Sequence, residues 1–110
     1  MGITFLNSPM GSVFQAFEEL YPDKDCLFEF VPQIEGGGYG VTIFPDDGST
    51  TVIFVDINLS YLDMLDIITH ELAHLVVGVV GGDGHGEEWG KVYGFILDKY
   101  EEIEKKRVFG

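Results

Sequence analysis

The sequence predicts an α+β fold: a short N-terminal helix, a small three-stranded, mainly antiparallel sheet, and two long helices at the C-terminal end. Two observations carry this. Aromatic and β-branched runs separated by Gly and Asp clusters fill the stretch from about residue 27 to 57. Beyond residue 60 the apolar residues recur every three or four positions, the period of a helix rather than a strand. Strands gathered in one stretch and helices in another describe an α+β layer arrangement, not an alternating βαβ one.

The first helix carries Val13, Phe14, Phe17 and Leu20 as its apolar stripe, with Ser12 expected as N-cap and Pro22 as the stop. Three strands follow, at 27–31, 39–44 and 51–57. Gly36, Gly37 and Gly38 are expected to form a flexible hairpin before the second, and Asp46-Asp47-Gly48 a tight turn before the third. The glycine cluster lacks the Lys and the following helix of a phosphate loop. Ser60 and Asp63 then form a capping-box-like start for a helix whose stripe is Leu65, Ile68, Leu72, Leu75 and Val79. Gly81-Gly82 is expected to end it. A last helix over about 86–106 presents Trp89, Val92, Tyr93, Ile96, Tyr100 and Ile103 inward, with Lys105, Lys106 and Arg107 at its negative end.

With 110 residues the chain holds one modest hydrophobic core, so 1–110 is expected to be a single domain. Its formal charge of −13 repels phosphate backbones and anionic lipid, which makes nucleic acid and membrane surfaces poor partners. No apolar run reaches the roughly 20 residues of a membrane span. Met1 to Met10 lacks the basic start and long apolar core of a signal peptide. Cys26 is the one cysteine, so neither an internal disulfide nor a cysteine zinc cluster can form. These points together lead to the expectation of a cytoplasmic protein. The oligomeric state is left open, a monomer being compatible with everything above.

Chemistry concentrates in the first of the long helices, which contains His70-Glu71-Leu72-Ala73-His74. Residues four apart lie on one helix face, about 6 Å apart along the axis, so two imidazoles can converge on one ion. Glu71 points about 100° around the helix from His70, beside such an ion, where it can take a proton from bound water. A chance H-E-x-x-H in a chain this short is on the order of one in a few hundred. Unpaired histidines between apolar stripes would also be costly to bury. All 3 histidines of the chain fall between residues 70 and 85.

His85 is the third, flanked by Gly84 and Gly86, which let the backbone approach closely. Three protein ligands leave a fourth position for water, the arrangement of a catalytic rather than a structural zinc. Glu87 or Glu88 is the competing third ligand. Asp63 and Asp66, on the His70 face, and Asp83, near His85, are candidates to orient a ligand imidazole, but solvated helix charge is the preferred reading for the first two and turn formation for Asp83. Tyr93 and Tyr100 are candidate oxyanion donors, against a core role.

The run His70-Glu71-x-x-His74 followed by Gly84-His85-Gly86-x-x-Trp89 resembles the SprT-like metallopeptidases, which are zincins with H-E-x-x-H and then G-H-G-x-x-[FW]. The match covers residues 57–93. The resemblance implies a minimal zincin core, one catalytic Zn²⁺ held by His70, His74 and His85, and Glu71 as the catalytic base. It also implies a peptide or protein substrate lying extended along a sheet edge, supplied by 51–57 or 39–44. The basic segments and cysteine ribbon of DNA-linked members are missing, so action on DNA-bound proteins is not implied. Two alternatives stay open from sequence: a zinc-stabilised binding or regulatory module that cleaves nothing, and a zinc amidase acting on a non-protein amide.

Overall fold

The computed structural model describes residues 9–47, 49–78 and 86–110. In chain order the elements are α1 (Pro9–Leu20), β1 (Cys26–Val31), β2 (Gly40–Ile43), β3 (Thr51–Asp56), α2 (Tyr61–Val77) and α3 (Glu87–Phe109). This is the expected α+β arrangement of helix, three strands and two long helices.

The sheet is mixed rather than mainly antiparallel, with strand order β1-β3-β2. The β2–β3 pair is the antiparallel hairpin that the Asp46-Asp47 turn foretold, with Val41 opposite Phe54. The β1–β3 pair is parallel, from Cys26 opposite Thr51 to Val31 opposite Asp56. Gly36, Gly37 and Gly38 therefore form no hairpin. They lie on the connection that carries the chain from one edge of the sheet to the other, and all three have positive φ, at 86°, 91° and 89°. Such a backbone is open to glycine and strained for other residues. The strand expected at 51–57 lies in the centre, so it cannot offer an edge to a substrate. As the central strand it has Ile53 and Val55 fully buried.

That inner face packs on α2. Met64, Ile68, Leu72 and Leu75 are buried there, close to the expected stripe, with Leu65 half-buried at its margin. Val13 and Phe17 of α1 and Val92 and Ile96 of α3 complete the core. Ser12 of α1 meets Glu104 of α3 and Glu19 meets Lys99, so these helices run antiparallel. Ser12 is thus not the N-cap. The helix starts upstream at Pro9, a residue suited to a first turn, and the Ser12 hydroxyl donates to Glu104 instead.

Ser60 caps α2 as expected, its Oγ accepting from the Asp63 amide at 3.3 Å. The helix stops at Val77, earlier than Gly81-Gly82, because Gly78 turns to a φ of 83° while its amide donates to the His74 carbonyl. Val79 and the expected loop through Gly84 lie outside the described residues. Among the described residues, no helix is long and apolar enough to cross a membrane.

Candidate metal centre

Helix α2 brings His70, Glu71 and His74 together. One donor atom from each lies within 4.8 Å of the others, and among the described residues this is the group of acids and imidazoles able to hold a metal ion. The two imidazoles face each other through their Nε2 atoms, 3.2 Å apart. Two nitrogens bound tetrahedrally to zinc at about 2.0–2.1 Å stand about 3.3 Å from one another, so the pair has the separation that zinc requires. His70 keeps 30% of its side chain exposed, leaving the face reachable from solvent.

Glu71 differs from its neighbours in burial. Its side chain is 8% exposed, and its Oε2 lies 3.9 Å from His70 Nε2. Burying a carboxylate is expensive unless a donor meets it. The donor is Thr42 of β2, whose hydroxyl reaches Oε1 at 2.7 Å and lies 3.3 Å from the Glu71 carbonyl. Strand β2 approaches closely because residue 40 is glycine. A Cβ there would stand 2.6 Å from Ile67 Cγ2 and 3.2 Å from Glu71 Cγ.

The other wall comes from α3. The Trp89 indole N–H donates to the His70 carbonyl at 3.3 Å. Its ring packs against both imidazoles, with centroids 4.9 Å from His70 and 5.7 Å from His74. Tyr93 stacks behind it at 5.2 Å. The Tyr93 hydroxyl donates to Asp66. Burial first, then that hydrogen bond and the charge of Asp66, push the tyrosine up to about 12 from an ordinary 10.0. Its proton is therefore held firmly at neutral pH.

Other sequence candidates fall elsewhere. Asp63 accepts from the Ser60 hydroxyl at 2.8 Å, within the cap of α2. Glu87 and Glu88 are exposed in the first turn of α3, where Glu87 faces Lys91 at 3.5 Å. His85 and Asp83 lie outside the described residues. Sequence reading missed Gly40 and Thr42. The signal was present: residues 40 and 42 share one face of a strand, and a small and a hydroxyl residue there break a run of bulky apolar ones.

No family model matches the chain. No curated protein matches it either. Among solved structures, the crystal structure of the metallopeptidase zymogen of Pyrococcus abyssi abylysin superposes with a TM-score of 0.53, covering 90% of each chain at 18% sequence identity. At that identity the likeness establishes that the chain shares the fold of that structure.

Proposed function

We propose that the chain is a zinc-dependent metallopeptidase in which His70, His74 and His85 hold one catalytic Zn²⁺ and Glu71 is the general base. A single observation carries the reading: a buried carboxylate is held beside two imidazoles whose Nε2 atoms are 3.2 Å apart. A structural zinc site has no use for such an acid. The metallopeptidase fold supports the class, and the H-E-x-x-H and G-H-G-x-x-W runs support the SprT-like zincins as its relatives.

When bound, zinc supplies polarisation of the scissile carbonyl and a lowered pKa for its water. The chain's own residues do the rest. His70 and His74 would hold the ion through Nε2, and Trp89 packs against both rings from the α3 side. Glu71 accepts a proton from the attacking water and delivers it to the leaving amine. Strand β2, at the sheet edge next to α2, pairs with an extended peptide, so its main chain aligns the substrate without demanding a particular sequence. The −13 charge favours basic or neutral peptides over nucleic acid and anionic membranes. The lone thiol of Cys26 suits a reducing compartment such as the cytoplasm.

The test is metal content together with hydrolysis of casein and a peptide panel. One zinc per chain, with activity abolished by a chelator and restored by one equivalent of zinc, is the expected result. Zinc bound without hydrolysis of any protein or peptide would make the chain a non-catalytic zinc module. Activity confined to small non-peptide amides would make it an amidase.

A further inference from the structure

The geometry points to Thr42 and Gly40 as positioning residues that keep Glu71 a base and prevent it from becoming a metal ligand. This rests on the reading of Glu71 as the general base. The need for such a device is visible in the distances. Glu71 has a carboxylate oxygen within 4.8 Å of donor atoms on both His70 and His74, so the residue is close enough to enter the ligand set itself. A carboxylate is a good zinc ligand, and one that binds zinc through its lone pair loses the basicity that proton transfer requires.

Strand β2 opposes this through its contacts with the Glu71 side chain. The Thr42 hydroxyl donates to Oε1 at 2.7 Å and so ties that oxygen to the sheet, while Oε2 stays 3.9 Å from His70 Nε2. The same hydroxyl lies 3.3 Å from the Glu71 carbonyl, but its single proton serves the shorter contact to the carboxylate. Two strand positions divide the task, because residues two apart share a face. Gly40 leaves the room: a Cβ there would lie 3.2 Å from Glu71 Cγ, 3.5 Å from Oε2 and 2.6 Å from Ile67 Cγ2. Thr42 supplies the hydrogen bond. The strand that offers its edge to the substrate thus also sets the base, so substrate and base share one rigid frame.

Thr42→Val is nearly isosteric and removes the hydroxyl alone, whereas Thr42→Ser keeps it. With zinc bound, Thr42→Val should lose about 10–100-fold in kcat with KM and zinc content unchanged, and Thr42→Ser should stay close to wild type. Equal kcat in Thr42→Val and wild type would overturn the proposal, as would a Thr42→Ser protein as slow as Thr42→Val. A second measurement does not depend on activity. In the Co²⁺-substituted protein, visible absorption reports the ligand set. The Thr42→Val spectrum should shift as Glu71 joins the metal, and Thr42→Val with Glu71→Gln should return it to that of wild type. An unshifted Thr42→Val spectrum would overturn the proposal even if the wild type hydrolyses nothing. An inert wild type whose cobalt spectra shift as described would sink the peptidase reading alone. A wild type that takes up no cobalt would remove the ligand set and the proposal with it.

Discussion

The indole of Trp89 donates to the carbonyl of His70 at 3.3 Å while its ring lies 4.9 Å from the His70 imidazole, so α3 contacts both the backbone and the side chain of the turn that carries the candidate metal ligands. Trp89 is also the chain's 1 tryptophan, which makes it a built-in reporter. Zinc added to the metal-free protein should change its intrinsic fluorescence and saturate at one equivalent. In His70→Ala the response should vanish at the same zinc concentrations. A response that persists undiminished in both His70→Ala and His74→Ala would place the bound metal elsewhere.

Metal should also contribute to stability. A ligand that binds only the native state adds about 2.7 kcal/mol when present at 100 times its Kd. A chain of 110 residues has a stability of the same order, so complete chelation should lower Tm by several degrees. Thermal unfolding with and without chelator measures this directly. Coincident transitions would show that packing alone sets the stability.

A side chain at Gly40 would force its neighbours to shift. The Cβ of Gly40→Ala would meet Ile67 Cγ2 at 2.6 Å, inside contact distance, and would press on Glu71. Overpacking of this kind costs about 1–3 kcal/mol, so Gly40→Ala should unfold at lower denaturant concentration with an unchanged m value. Wild-type stability in that variant would mean that β2 stands further from α2.

Tyr93 gives the alkaline behaviour its sign. Its folded value is raised to about 12 against an ordinary 10.0. The contribution to stability is therefore complete below about 10 and is lost as pH rises toward 12. Absorbance titration should show one tyrosine ionising late, and Tyr93→Phe should remove that late step. Loss of an early step in its place would contradict the Asp66 pairing.

Much of the centre was legible because it is local. His70, Glu71 and His74 lie within five positions of one helix, and the period-3.6 stripe and the Ser60 cap identify that helix without any tertiary information. What escaped depends on distant contacts. The parallel β1–β3 pairing joins strands that are not neighbours in sequence, whereas adjacency in sequence suggested a meander. Ser12 resembles an N-cap until Glu104, far along the chain, takes its hydroxyl. Gly40 and Thr42 stand out within their strand as a small and a hydroxyl residue on one face, but only the packing of β2 on α2 shows that Glu71 lies beneath them. The inward face of α3 could be read from Trp89, Val92 and Ile96, but its contact with the imidazoles could not.

On the proposed mechanism Glu71 moves a proton and does not hold the metal, and Glu71→Gln separates these two roles. The amide has nearly the size of the acid and can still accept the Thr42 hydrogen bond, so fold and zinc site should survive. It cannot take a proton. The measurement is casein hydrolysis and zinc content in wild type, Glu71→Gln and His70→Ala side by side. Glu71→Gln should keep its zinc and lose about 10²–10⁴-fold in rate, while His70→Ala loses both. Zinc lost from Glu71→Gln as completely as from His70→Ala, or hydrolysis undiminished by the substitution, would contradict the account.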